Sequence, residues 1–146
     1  MGRGQKMQNG FTLDTCTIIN IMKNRATADL LKCHLEMNHC PVYINSVALE
    51  EAVRKGYSKK EIIKTIQNYL DVFVTVKDVS SEVHDVAEKL EQECSLIHHG
   101  DSAIAAFSQN HRSTLITFDK TLLKGCKILG ISAFSPSMLA MGAVVA

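Results

Sequence analysis

Five acidic residues stand out by where they fall in the chain: Asp14, the adjacent pair Glu50 and Glu51, Asp101 and Asp119. Asp101 opens an apolar segment of helical spacing. Asp119 comes 18 residues later, just beyond the short apolar run Leu115-Ile116-Thr117-Phe118. Asp14 in the same way follows Phe11-Thr12-Leu13, and Glu50 and Glu51 sit one turn inside a segment that begins at Ser46. Carboxylates gathered at one place repel one another and oppose folding unless a cation neutralises them. Hard oxygen donors select Mg²⁺ or Mn²⁺ rather than zinc. Such ions activate water and stabilise in-line displacement at phosphorus, which is the chemistry of phosphodiester hydrolysis. Taken singly, Asp14, Asp101 and Asp119 read as helix caps and Glu50 and Glu51 as surface residues. Their shared position at strand ends is what points to a site.

The elements that must carry these acids alternate between strand and helix. Phe11 to Leu13 reads as a strand, followed by helices over Thr15 to Asn24 and Ala26 to Met37 that part near Asn24-Arg25. Val42 to Ile44 reads as a second strand ending at Asn45-Ser46. Ser46 is suited to cap a helix over Val47 to Lys55, and Gly56 closes it. Ser58-Lys59-Lys60-Glu61 has the form of a capping box ahead of Ile62, Ile63, Ile66, Tyr69 and Leu70 on one helical face. Val72 to Val76 is rich in β-branched residues and reads as a third strand. Ser80 or Ser81 then starts a helix with Val83, Val86, Ala87, Leu90 and Cys94 inward and Glu82, Asp85, Glu88, Glu91 and Glu93 outward. After the stretch His98 to Leu123 comes a last apolar segment, Lys127 to Phe134, stopped by Ser135-Pro136. Strands separated by one or two helices require crossover connections and a mostly parallel sheet, so the fold class is α/β. In such a sheet the acids fall at the carboxyl ends of the strands, where ligands bind.

The totals exclude several alternatives. With 146 residues and 46% hydrophobic content the chain has the length of one domain, residues 11–139, with a flexible tail at 1–10 and another at 140–146. A net charge of +1 argues against a uniformly basic nucleic-acid binder, so any such contact must be local. No apolar run approaches the roughly 20 residues of a membrane span, and the start MGRGQKMQNG lacks the apolar centre of a signal peptide, so the cytoplasm is the expected location. The five cysteines form no C-x-x-C pair. Cys33-His34 with His39-Cys40 is the one metal-like grouping, and it straddles a helix end, which argues against zinc. No Gly-rich loop follows a strand, which disfavours a nucleotide-binding fold.

Together these residues resemble the PIN domain family, the small metal-dependent nuclease fold that includes VapC-type toxins and stand-alone ribonucleases. The resemblance is most specific over Gly100-Asp101-Ser102-Ala103-Ile104-Ala105-Ala106 and Leu115-Ile116-Thr117-Phe118-Asp119-Lys120, with Leu13-Asp14-Thr15 and Ser46 to Ala52 as the earlier motifs. It implies a three-layer α/β/α fold around a central, mostly parallel sheet of about five strands. It also implies an acidic Mg²⁺ or Mn²⁺ site of Asp14, Glu51, Asp101 and Asp119. Glu51 is favoured over Glu50 because Ser46 lies five residues before it, the family's usual interval. Thr15, Ser46 and Thr117 would be supporting hydroxyls. Arg54, Lys55, Lys120 and Lys124 would contact the RNA. The implied activity is endoribonuclease, as the toxin of a type II toxin–antitoxin pair, with RNA as substrate, an antitoxin as partner and a homodimer as assembly. The alternatives are a housekeeping RNA-processing nuclease and a non-catalytic module that binds RNA or a protein. One departure is Cys16, which stands where the family commonly has Asn.

Overall fold

The computed structural model describes residues 10–38 and 41–140. The expected tails lie outside these residues except for Gly10 and Ala140. Gly10 belongs to the fold: its carbonyl accepts the Thr114 N–H at 2.8 Å. A Cβ on Gly10 would stand 2.5 Å from the Pro41 carbonyl oxygen, so only glycine fits.

Five strands form one parallel sheet: β1 (Phe11–Leu13), β2 (Val42–Asn45), β3 (Val74–Lys77), β4 (Thr114–Ile116) and β5 (Ala133–Phe134), in the order β3-β2-β1-β4-β5. Eight helices flank it among the described residues, giving the three-layer α/β/α arrangement. They are α1 (Thr15–Lys23), α2 (Arg25–Asn38), α3 (Ser46–Arg54), α4 (Lys59–Leu70), α5 (Ser81–Glu93), α6 (Asp101–Asn110), α7 (Lys120–Leu129) and α8 (Pro136–Ala140). The chain winds outward from β1 through β2 to β3 and then returns to β1's other side for β4 and β5. The direction of winding therefore reverses between β1 and β4. A crevice opens there because the connections on either side leave in opposite directions.

The core explains the register. Leu13, Ile44, Leu115 and Ile116 from the strands and Ile18, Ile62, Ile66 and Leu70 from the helices are buried. Phe11 aligns with both Val42 and Thr114, so β1 and β4 finish level at Leu13 and Ile116 and β2 runs one residue further, to Asn45. The helix α6 is buried on every side from Ser102 to Ser108. Its Phe107 stacks on His111 with ring centroids 4.1 Å apart and meets Tyr43 edge-on at 6.3 Å. The polar groups this burial traps are paired with one another. Ser108 Oγ donates to the Ser113 carbonyl at 2.9 Å, and Thr12 and Ser113 share a hydroxyl contact.

The element boundaries depart from the sequence reading in four places, each for a local reason. Asn45, not Ser46, caps α3, because its Oδ1 accepts the Ala48 N–H at 2.8 Å; Ser46 is already helical. The third strand starts at Val74 rather than Val72. Asp71 ends α4 in a left-handed conformation (φ 55°), and Val72 and Phe73 complete the turn, leaving Phe73 89% exposed. The fourth strand stops at Ile116, so Thr117 and Phe118 lie beyond it. The last apolar segment divides into the end of α7 and β5, parted by Gly130 at φ 75°. In addition, Val86 is exposed and Glu91 turns inward, its Oε2 accepting the Ser102 hydroxyl at 2.6 Å. The capping box at Ser58 and Glu61 forms as expected. Cys33 is exposed, while His39 and Cys40 and the His34 side chain fall outside what is described. No described helix is long and apolar enough to cross a membrane.

Phe107 is fully buried and joins α6 to β2 through Tyr43, so truncating it opens a void that neighbouring rings fill only in part. Phe107→Ala is expected to lower stability by about 3–5 kcal/mol in urea denaturation, with an unchanged slope.

Candidate active site

Asp14 is the first residue after β1 and the N-cap of α1. Its carboxylate is 3% exposed and is held on both oxygens. Oδ1 accepts the Thr17 N–H at 2.9 Å, Oδ2 accepts the Thr117 hydroxyl, and the Cys16 thiol reaches both oxygens at 3.1 Å. The cap reading and the site reading of this residue are therefore both satisfied by one side chain.

Thr117 forms the link to β4. Its hydroxyl donates to Asp14 and at the same time accepts the Asp119 N–H at 3.0 Å. Asp119 in turn caps α7, its Oδ1 accepting the N–H groups of Thr121 and Leu122 at 2.9 and 3.1 Å. On the other wall, α3 carries Glu51 half-buried, with Oε1 accepting the Thr15 hydroxyl at 2.6 Å. Asp101 is the first residue of α6, after Gly100 at φ 95°, and no side chain caps that helix. A Cβ on Gly100 would lie 3.7 Å from Glu51 Oε2, so the start of α6 sits against Glu51.

These side chains line one cleft of about 550 Å³. Asp14, Thr15, Glu51, Asp101, Asp119 and Lys55 from the sequence expectation all face it, and Glu51 rather than its exposed neighbour Glu50 is the one brought in. Thr117 stands behind the cleft wall through its bond to Asp14. Ser46 does not join them; its hydroxyl accepts the Val79 N–H at 3.3 Å on the β3 side. Arg54 and Lys120 are exposed and do not line the cleft, and Lys124 lines a separate apolar groove beside β5. Four lining residues were missed: Ile19, Asn20, Lys23 and Phe118. The signal for the first three was present. They follow Thr15 and Cys16 at steps of three and four along α1, so the helix face that begins at the Asp14 cap continues along the cleft. Phe118 reads in sequence as the end of a strand, and only the stop of β4 at Ile116 places it in the cleft wall.

The PIN domain family model matches residues 11–127. The chain belongs to the PIN domain family. No curated protein matches it in sequence. Among solved structures it is similar to DNA-bound VapBC from Salmonella typhimurium (18% identity, 89% of this chain and 99% of that one, TM-score 0.66). It is also similar to VapBC2 from Rickettsia felis bound to a promoter DNA fragment (19% identity, 86% and 97%, TM-score 0.64). A toxin–antitoxin complex from Klebsiella pneumoniae matches at 22% identity, covering 87% of this chain and 98% of that one, with a TM-score of 0.62. At these identities the likeness is one of fold.

The electrostatics of this PIN domain cleft follow from its acids. Burial pushes the Asp101 carboxyl up to about 6, and the charges of Asp119, Asp14 and Glu51 add to the rise, against a small opposing effect of His98. Burial also raises Asp14, partly offset by its hydrogen bonds from Thr117 and Thr17. All four acids offer hard oxygen donors, and their mutual repulsion is relieved by a divalent cation, so the donor chemistry fits Mg²⁺ or Mn²⁺. Among the described residues no three such side chains stand close enough together to ligate one ion as they are placed. The acids line the cleft without closing on a common point.

A carboxyl whose folded pKa is raised binds its proton more readily in the native state, so its contribution to stability is largest at low pH and falls as pH rises from about 4 to about 6. In EDTA, Asp101→Asn is expected to flatten that fall and to raise the unfolding midpoint at pH 7. After allowance for solvent screening of a part-exposed group, the gain is about 1–2 kcal/mol, read by thermal unfolding across pH.

Proposed function

We propose that this PIN domain is a divalent-metal-dependent endoribonuclease, with Asp14, Glu51, Asp101 and Asp119 holding Mg²⁺ or Mn²⁺. The observation that supports this most directly is the cleft itself, which four carboxylates from four different elements line at the point where the sheet's winding reverses. A bound ion of this kind supplies Lewis acidity and a water of lowered pKa. The chain's own residues do the positioning. Thr117 and Thr17 fix the Asp14 carboxylate, and Thr15 fixes Glu51, so neither acid swings when a strand enters. Asp119 commits one oxygen to capping α7 and keeps the other for the cleft. Lys55 and Lys23 offer phosphate contacts on the cleft walls, which keeps cations close to a site that would otherwise repel a polyanion.

Solved neighbours of this fold include VapBC assemblies and a toxin–antitoxin complex. On that analogy the protein acts as the toxin of such a pair in the cytoplasm. It would work as a homodimer, with an antitoxin placing a cationic arm in the acidic cleft. The arm would compete with the metal for the carboxylates and occupy the cleft that the RNA must enter, which is sufficient for inhibition.

Purified protein incubated with single-stranded and structured RNAs should cleave in Mg²⁺ or Mn²⁺ and not in EDTA. Asp101→Asn should reduce the rate by more than the roughly 10–100-fold typical of residues that only support a metal ligand. Absence of Mn²⁺ binding by calorimetry to the wild-type chain would overturn the reading.

A further inference from the structure

The carboxylates act on the backbone of a strand and are indifferent to whether its bases are paired. A side chain that distinguishes the two must stand at the cleft and have no role in holding the acids. Phe118 meets both conditions. It lies between Thr117, which is fully buried and bonded to Asp14, and Asp119, which caps α7. Its backbone position is therefore fixed to the same joint as two of the acids, and the Thr117 N–H is tied to the Phe134 carbonyl at 3.1 Å. Its ring nevertheless lines the cleft 38% exposed. An aromatic face held in water beside a row of carboxylates forgoes burial that almost any packing inside the fold would supply. The same cleft is lined from α1 by Ile19 and, one further turn along, by Lys23.

A fixed aromatic face with a cation further along the groove is how proteins hold single-stranded nucleic acid: a base stacks on the ring and a phosphate meets the cation. A base inside a duplex has no free face to offer. We infer that Phe118 is the platform on which an unpaired base of the substrate stacks, with Lys23 contacting the backbone of the same strand. This makes Phe118 a selector for single-stranded RNA. The inference rests on the nuclease reading above and adds the feature of the substrate that is recognised.

The chain contains no Trp, which supplies a direct test. Phe118→Trp keeps an aromatic platform and introduces the molecule's sole indole. With Ca²⁺ replacing Mg²⁺ to prevent turnover, single-stranded RNA should quench that indole, and the same sequence locked in a duplex should not. By fluorescence anisotropy, Phe118→Ala should weaken single-stranded RNA binding about 5- to 100-fold. It should leave the thermal unfolding midpoint close to wild type, and Phe118→Trp should restore affinity. Lys23→Ala should lower the salt dependence of binding by about one phosphate contact. Wild-type affinity in Phe118→Ala, or an indole unchanged at saturating RNA, overturns the stacking role even where Asp101→Asn abolishes cleavage and the nuclease stands. If the wild-type chain neither binds nor cleaves RNA, both readings fall together.

Discussion

The site depends on the hydroxyl of Thr117. It is fully buried at the end of β4, gives its proton to Asp14 at the end of β1, and takes the N–H of Asp119 at the start of α7. One oxygen thus fixes the relative positions of two acids that come from strands on either side of the reversal in winding. The arrangement works only because β1 and β4 finish level, which is set by their pairing from Phe11–Thr114 to Leu13–Ile116. A slip of one residue would turn every side chain of β1 to the opposite face and carry Asp14 out of reach. Core packing of Leu13, Leu115 and Ile116 against the helices is what forbids that slip. The geometry of the cleft is therefore a consequence of hydrophobic register, transmitted through a hydrogen bond.

The same joint bears an electrostatic cost. Asp14 is buried, and Asp101 is raised by its burial and then by three neighbouring acids, so the cleft holds more negative charge than the fold would choose for stability alone. The fold limits that cost by giving the acids structural work. Asp14 and Asp119 cap helices, where the N-terminal dipole favours a carboxylate. Glu51 takes a hydroxyl from Thr15. No side chain caps the helix that Asp101 begins, and burial, with the charges of Asp119, Asp14 and Glu51, pushes its carboxyl up to about 6. Gly100, at φ 95°, permits a backbone turn into α6 that no other residue would adopt cheaply there.

How much of this was legible in the sequence follows from what each feature depends on. Elements set by local pattern were readable: the paired helices parted at Asn24, the capping box at Ser58 and Glu61, the helix begun by Ser80, and the acids that follow short apolar runs. Features that depend on two distant segments were not. Ser46 resembles a cap in isolation, and only the arrival of Val79 beside it shows where its hydroxyl is used. Glu91 matches a solvated helix face until the start of α6 packs against it. Val72 and Phe73 have strand propensity, but the left-handed turn at Asp71 decides the matter. Lys120 and Lys124 are close to Asp119 along the chain, yet α7 turns them away from the cleft, while Lys23, far from any other motif residue but the first, is delivered by the continuation of α1.

Cys16 shows how such a cleft accommodates a side chain that the family resemblance did not lead one to expect. Its thiol is near enough to donate to both Asp14 oxygens, though a thiol is a weaker donor than the amide that the resemblance led one to expect. Asp14 does not depend on it, because the Thr17 N–H and the Thr117 hydroxyl already occupy the two oxygens. Burial and the Asp14 charge push the thiol up to about 11, so it remains protonated and adds no further negative charge to a cleft that has an excess. A fifth carboxylate at this position would have no such neutral state near pH 7 without a large shift of its own. Cys16 thus adds a weak donor beside Asp14 without adding charge to the acids of the cleft.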